Sequence, residues 1–220
     1  AEGVLSENAQ TPTPQNDPEA VELIESIAEI VSSLSHHEPL AVGVAVPGVV
    51  TPDGVAKFSG TLGFRDLPLG ELIKSRVGLP SVLVHDVTAS GLAESRVGAA
   101  RGQQQAVVIQ IGTGIASTLI LNGEVYRPHP IVGEIGHTPS AYDRPCFCGL
   151  RGCLEMTASG GAVRRNFEAL TGEKATAVEV FARAQEGEES AGIIYREFVD
   201  ALSTAIHWLA SVLGPDLVIL

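Results

Sequence analysis

Basic residues are scarce in this 220-residue sequence, which has 14 Lys and Arg against 26 Asp and Glu and a formal net charge of -12. A surface with that charge balance repels the phosphates of nucleic acids and of anionic lipids. We therefore expect that this chain by itself binds no nucleic acid.

Long hydrophobic runs are also missing. No stretch approaches the roughly 18 apolar residues that would cross a bilayer, and no basic and apolar leader opens the chain. We therefore expect no membrane partner and a cytoplasmic location. The first residue is Ala1 rather than Met, and the apolar residues 217–220 end the sequence with no turn after them. These ends predict a chain truncated at both termini.

What the sequence does contain is enough apolar material for a buried core, with 45% hydrophobic residues. Short β-branched runs predict strands, and helical spacing of apolar residues between them predicts helices. The strands are expected near residues 3–6 and at 40–46, 81–84 and 106–111, and the helices at 69–77, 89–97 and from 157 onward. Alternation of this kind predicts an α/β protein with a mixed sheet.

Two local signals refine this organisation. Asn122-Gly123 between two apolar runs predicts a β-hairpin, because both residues tolerate the positive φ of the tight turn. The composition of residues 98–105 predicts a domain boundary near residue 100. We therefore expect a domain over residues 1–100 and a second over residues 101–220.

Cysteine is rare, and its three copies all fall within eight residues, as Cys146, Cys148 and Cys153. Together with His137 they form the ligand set of a closed tetrahedral zinc site. A disulfide would leave one cysteine over and is disfavoured in a reducing compartment. The remaining alternative is three small buried residues that cluster without a metal. A site with four protein ligands leaves no position for a catalytic water, so the expected zinc is structural.

The turn Gly112-Thr113-Gly114 lies between two predicted strands. Glycines allow backbone N–H groups to approach an anion closely, and Thr113 adds a hydroxyl. The same pattern also occurs in ordinary hairpins. It fits neither the P-loop, which needs a following Lys, nor the dinucleotide fingerprint, which needs a third glycine.

Several carboxylates stand at chemically suggestive positions. Asp86 directly follows the strand predicted at 81–84, where side chains point into the ligand crevice of an α/β sheet, but Asp is also an ordinary helix cap. His85 beside it is either part of the same site or a strand-end histidine. Glu134 and Glu155 flank the expected metal loop, which would hold them rigidly for a polyhydroxylated ligand; the alternative for each is a solvated surface side chain.

Taken together, these segments resemble the ROK family (repressors, open reading frames and sugar kinases). The matching stretches are Val46-Pro47-Gly48, His85-Asp86, Ile111-Gly112-Thr113-Gly114, Gly133-Glu134-Ile135-Gly136-His137 and the residues 146–155 that contain the three cysteines. The resemblance implies an actin-like ATPase (ribonuclease H-like) fold of two α/β lobes, with hexose and ATP in the cleft between them. It also implies a glucokinase-like activity and a homodimer.

The resemblance further implies a role for each matching residue. Asp86 is the general base that takes the proton of the attacking sugar hydroxyl. The phosphates of ATP, with its Mg²⁺, contact Gly112, Thr113 and Gly114. The sugar contacts Gly48, His85, Asp86, Glu134, His137 and Glu155. Zinc is held by His137, Cys146, Cys148 and Cys153, and His137 uses its other ring nitrogen for the sugar.

Two function classes follow, because the sequence departs from the family's kinases at and near the proposed base. Those kinases usually have Asn where this chain has His85, and often a second Asn where it has Thr88. The His-Asp pair also occurs among the family's repressors. The first class is an ATP-dependent hexose kinase, and the alternative is the sugar-sensing effector domain of a transcriptional repressor. Sugar selectivity is expected to depend on residues 59–64.

Overall fold

The computed structural model describes residues 7–14, 17–59 and 62–220. The strand predicted near residues 3–6 lies outside these residues, as do Gly60 and Thr61 of the expected selectivity segment. Packing divides the chain into two compact units, Ala1–Ala93 with Pro128–Ile131 and Glu94–Arg127 with Val132–Leu220. The domain boundary near residue 100 stays a prediction, because these units are defined by packing alone.

The first unit combines a parallel strand pair with a small antiparallel sheet. Strands β1 and β5 are parallel, and β2, β3 and β4 form the antiparallel sheet. The elements in chain order are α1 (Val21–Ser33), a short 3-10 helix (Ser35–His37), β1 (Val42–Val46), β2 (Val49–Val50), β3 (Ala56–Phe58), β4 (Arg65–Leu67), α2 (Leu69–Val77), β5 (Ser81–His85) and the start of α3 (Asp86–Val97).

The core of the first unit lies between α1, α2 and the strands. Asp17 fixes the start of α1, since its carboxylate accepts the N–H groups of Val21 at 2.8 Å and Leu23 at 2.9 Å. Fully buried apolar side chains then fill the interior, each contributing roughly 1.5–3 kcal/mol of burial; they include Phe64, Leu69, Ile73 and Leu83. This packing fixes β5 against β1, with His85 paired to Val46.

The second unit is built on a four-stranded sheet in the order β8-β7-β6-β9, in which β6 is antiparallel to β7 and parallel to β9. The predicted Asn122-Gly123 hairpin is confirmed: it joins β7 to β8, and both residues have positive φ, 55° and 77°. The elements in chain order are β6 (Gln105–Ile111), β7 (Ile115–Leu121), β8 (Glu124–Val125), a 3-10 helix (Ile135–His137), α4 (Glu155–Ala158), α5 (Gly160–Thr171), α6 (Ala177–Gln185), α7 (Glu189–Leu213) and β9 (Leu217–Ile219).

The long helix α7 carries two apolar clusters of the second unit. Ala201 and Leu202 pack with Val107 and Ile109 of the sheet, and Ile194 packs with Phe167. The mixed α/β architecture predicted from the sequence is thereby confirmed within each unit. Among the described residues, no helix has both the length and the apolar character needed to span a bilayer.

Candidate functional site

In the first unit, the junction of β5 and α3 positions an acid beside an imidazole. His85 is the last residue of β5 and is buried, with 7% of its side chain exposed, whereas Asp86 opens α3 with 47% exposed. The His85 Nε2 atom lies 3.2 Å from Asp86 Oδ1, and the same oxygen accepts the Val87 N–H at 2.8 Å. The carboxylate therefore serves the helix start and still faces solvent at the carboxyl end of a strand.

Gly48 makes the turn after β1 and allows a close backbone approach. Its φ is +108°, and a Cβ at this position would lie 2.2 Å from the carbonyl oxygen of Phe58 and 2.9 Å from Cα of Ser59. No side chain fits in that space. Because β1 and β5 are parallel and Val46 lies opposite His85, the turn that follows β1 lies at the same edge of this strand pair as His85.

We predict that Gly48→Ala lowers the free energy of unfolding by about 2–4 kcal/mol, because the methyl group meets backbone atoms and the φ is strained. Urea unfolding measures the loss. Gly78→Ala is the matched control, since Gly78 also has a positive φ of +75° but no atom within 4 Å of its Cβ position. It is expected to cost about 1 kcal/mol. Equal losses for the two variants would contradict the steric argument.

In the second unit, the four predicted zinc ligands converge. The side-chain donor atoms of His137, Cys146, Cys148 and Cys153 all lie within 4.8 Å of one another. The Cys146 sulfur is 3.7 Å from His137 Nδ1, and the Cys148 and Cys153 sulfurs are 3.6 Å apart. The edges of a tetrahedral zinc site with these donors are about 3.5–3.8 Å. The residues therefore fit a zinc ion, with three sulfurs and one nitrogen as ligands.

Backbone geometry holds the cysteine loop in this arrangement. Gly149 and Gly152 have φ of +91° and +76°, a region that glycine enters without steric cost. The N–H of Cys146 donates to the Leu150 carbonyl at 2.9 Å. Arg144 joins the loop to the helices by donating to Thr157 Oγ1 at 2.9 Å and by a short ion pair with Glu197 of α7.

The thiols differ in acidity in the absence of a metal. Removal from water, together with the neighbouring thiols of Cys148 and Cys146, raises the pKa of Cys153 to about 12. A hydrogen bond from the Leu150 backbone lowers the pKa of the exposed Cys148. Zinc binds the thiolate form, so binding of the metal would have to release the proton of Cys153.

His137 is oriented so that its two ring nitrogens face different surroundings. Nδ1 points to the Cys146 sulfur, and the ring of Phe147 packs edge-on at a centroid distance of 5.5 Å. Among the described residues, no protein group forms a hydrogen bond with Nε2. The half-buried ring is therefore contacted from its Nδ1 side and by Phe147.

Glu155 lies directly on the glycine turn. Its Oε2 accepts the N–H of Ile115 at 2.9 Å, and a Cβ on Gly114 would come within 2.4 Å of that oxygen. A Cβ on Gly136 would similarly lie 3.2 Å from Glu155 Cβ and 2.3 Å from the Ile115 carbonyl oxygen. The two glycines thus let the carboxylate reach β7. Sequence analysis missed this contact, for which two glycines near an acid were the only available signal.

The carbonyl side of the same turn is bound to α5. The N–H of Gly160 donates to the Gly112 carbonyl at 2.8 Å, and the N–H of Gly161 donates to the Thr113 carbonyl at 3.2 Å. Gly112 and Thr113 are exposed. The turn is therefore anchored through its carbonyls, which leaves the amides of Thr113 and Gly114 available to an anion. Sequence analysis also missed this link.

The candidate residues fall into two groups, one in each unit. Gly48, His85 and Asp86 belong to the first unit. In the second unit, the half-buried Glu134 precedes the 3-10 helix that contains His137, and its carbonyl accepts the His137 N–H at 3.2 Å. Glu155 and the turn at residues 112–114 lie in the same unit, next to Gly136.

Known proteins with similar sequences identify the family of this chain. A family model described as the ROK family matches residues 1–220. The chain belongs to the ROK family. This ROK chain is 31% identical over 218 residues to the glucokinase of Thermotoga maritima, an alignment that covers 90% of this chain and 69% of the glucokinase. It is 33% identical over 168 residues to the glucokinase of Streptomyces coelicolor, covering 74% of this chain and 52% of that enzyme. The chain thus spans about half the length of the Streptomyces relative.

Solved structures of ROK proteins have the same fold. A ROK hexokinase from Thermus thermophilus has a TM-score of 0.81 at 27% identity, over 94% of this chain and 71% of that one. A ROK glucokinase from Streptomyces griseus, solved with glucose and AMPPNP, has a TM-score of 0.77 at 27% identity, over 91% and 71%. A ROK family transcriptional regulator, homologous to the E. coli MLC protein, has a TM-score of 0.78 at 25% identity, over 93% and 55%. The predicted actin-like ATPase fold is confirmed.

Proposed function

We propose that this ROK chain carries the site of an ATP-dependent sugar kinase with a hexose as acceptor. The observation that carries the proposal is the Asp86 carboxylate, half exposed at the carboxyl end of β5 and in contact with buried His85 at 3.2 Å. The similarity to two glucokinases and to a ROK hexokinase supports it.

In this proposal Asp86 acts as the general base. Its carboxylate takes the proton of a sugar hydroxyl while the hydroxyl oxygen attacks the γ-phosphorus of ATP. The bond from that phosphorus to the bridging oxygen breaks, and ADP leaves. The exposed part of the carboxylate is free to receive the proton, while the His85 and Val87 contacts keep Oδ1 in place.

The proposed phosphate contacts are the turn at Gly112, Thr113 and Gly114. The Gly112 and Thr113 carbonyls accept from α5 and the Gly114 carbonyl accepts the Gly112 N–H, so the amides of Thr113 and Gly114 and the Thr113 hydroxyl are the groups that the turn can offer an anion. Phosphoryl transfer depends mainly on positioning and on stabilising charge, for which such fixed donors are suited. Mg²⁺ bound with the nucleotide would add positive charge at the transferring phosphoryl group.

The proposed sugar ligands in the second unit are Glu134, His137 and Glu155, and those in the first unit are Gly48, His85 and Asp86. His137 would offer Nε2 to a hydroxyl while Nδ1 faces the cysteines. Glu155 has one oxygen on the Ile115 N–H, which leaves Oε1 for the sugar. When bound, zinc on one ring nitrogen would fix the orientation of the imidazole. The other nitrogen would then be held in position to form a hydrogen bond with the sugar.

The direct test is turnover by the complete protein with ATP, Mg²⁺ and a panel of glucose, mannose and their N-acetylated amino sugars. We expect ADP release that depends on one of these sugars, at about 1–100 s⁻¹, with the sugar phosphate as product. The control omits the sugar. Sugar binding without any sugar-dependent ADP release would contradict the kinase proposal. The homodimer and the cytoplasmic location stay predictions.

A second candidate function is the sugar-sensing domain of a ROK repressor. The observation that favours it is His85, at the position where the family's kinases usually have Asn. The 25% identity to a ROK transcriptional regulator also supports it. In this case the same residues would bind an effector sugar, and no phosphoryl group would be transferred.

A pH titration tests whether His85 contacts the sugar. We expect hexose affinity of the wild-type protein to change between about pH 5.5 and 7.5, because a histidine can gain a proton in that range and so lose an acceptor. His85→Asn is expected to show a flat profile, since its amide does not titrate. Calorimetry at several pH values measures both. Identical profiles for the two proteins would remove His85 from the set of sugar ligands.

A further inference from the structure

Outside the proposed kinase site, three side chains of the first unit converge on one point. Glu7 Oε2 lies 2.7 Å from Nε2 of His37 and 3.1 Å from Nε2 of His36. The two imidazole rings are 4.1 Å apart between centroids and tilted by 39°. All three side chains remain substantially exposed, and all three donor atoms lie within 4.8 Å of one another.

The contact of His36 Nδ1 determines the protonation of Nε2, the ring nitrogen that faces Glu7. Its Nδ1 lies 3.2 Å from the Ser33 carbonyl oxygen, which can only accept a hydrogen bond, so Nδ1 carries a proton. In the neutral ring Nε2 then has no proton, and its lone pair faces the carboxylate of Glu7. Two acceptors at 3.1 Å repel each other unless a cation joins them.

We propose that Glu7, His36 and His37 form a second metal site, which takes a divalent transition ion such as Zn²⁺ through two imidazole nitrogens and one carboxylate oxygen. Imidazole with carboxylate is a donor set that suits zinc and its neighbours in the first transition row. The Ser33 carbonyl supplies the hydrogen bond that typically orients a metal-ligating histidine. With metal bonds of about 2.0–2.2 Å, a tetrahedral edge is about 3.3–3.6 Å, so the donor atoms need to separate by less than about 1 Å to admit the ion.

This site differs chemically from the cysteine cluster of the second unit. Its donors contain no sulfur, and its exposure leaves coordination positions for water. Three protein ligands with an open position are typical of catalytic rather than structural zinc sites. Metal here would also strengthen the link between Glu7 and the 3-10 helix Ser35–His37, which the Glu7 carboxylate contacts through both histidines.

The test adds Co²⁺ to the complete protein, as purified with its zinc, at pH 8 and follows binding by calorimetry and absorption. We expect one equivalent that gives weak ligand-field bands and no thiolate-to-metal charge-transfer band. His37→Gln and Glu7→Gln should each weaken its affinity by at least about tenfold. His207→Gln is the control, since His207 is an exposed histidine on α7, and it should bind as the wild type does.

Two results would overturn the proposal. One is that no equivalent of Co²⁺ binds without a thiolate-to-metal charge-transfer band. In that case a second proton on the His36 ring is the cation that joins the cluster. The other is unchanged affinity in both variants. Because Glu7 and His37 are exposed side chains, their substitution should leave the thermal unfolding of the protein without added Co²⁺ unchanged, which a melting curve verifies.

Discussion

Asp86→Asn in the complete protein is expected to lower kcat for sugar phosphorylation by about 10²–10⁴-fold, while hexose affinity changes by less than about tenfold. Asn has nearly the same shape as Asp and can keep the contacts with His85 and with the Val87 N–H. It cannot accept the proton of the attacking hydroxyl. Steady-state turnover and calorimetric sugar binding separate the two effects.

The matched control for this experiment is Asp216→Asn, which changes an exposed Asp beside β9 and should leave both quantities as they are. If Asp86→Asn keeps more than about a tenth of wild-type kcat, the loss is smaller than a general base contributes. Asp86 would then be a binding residue only. Parallel loss of sugar affinity and turnover would point to the same conclusion.

The second large effect concerns the cysteine cluster. We expect the purified protein to contain one equivalent of zinc, and Cys148→Ser to lose it and to unfold with several kcal/mol less stability, since structural zinc is worth about 10–16 kcal/mol in small zinc peptides. The loop between His137 and Cys153 has few buried apolar side chains of its own. Metal analysis and chemical unfolding measure both quantities.

Leu150→Ala serves as the control within the same loop. The Leu150 side chain is 59% exposed, and its carbonyl bond to the Cys146 N–H does not involve that side chain. This variant should keep both the metal and the stability. Protein purified without chelator that contains no zinc, or a Cys148→Ser variant that retains it, would contradict the assignment.

Local signals predicted the elements that depend on neighbouring residues. Helix α2 has the predicted bounds 69–77, and the Asn122-Gly123 hairpin has the predicted turn. The start of α3 was predicted at residue 89 but lies at Asp86. The short strands β2, β3 and β4 were not predicted, because two or three residues carry no detectable alternation and their pairing depends on contacts distant in sequence.

The candidate site was predictable only as far as residue types reach. Cysteine spacing predicted the cluster of four donors, since the chemistry of the ligands restricts the arrangement strongly. The bond from the Ile115 N–H to Glu155 and those from Gly160 and Gly161 to the turn join residues 40 or more positions apart. Such contacts arise from packing of the whole unit, and no periodicity in the sequence encodes them.

The contact between Glu155 and Ile115 has a consequence for fidelity. Under the proposed function, Oε2 of Glu155 accepts the N–H of Ile115, the residue that directly follows the turn at residues 112–114, and Oε1 contacts the sugar. A sugar that moves the Glu155 carboxylate on binding would therefore also shift the turn at residues 112–114, which is proposed to bind the phosphates of ATP. This coupling would make the binding of sugar and ATP cooperative. It would also lower the rate at which water hydrolyses ATP when no sugar is bound.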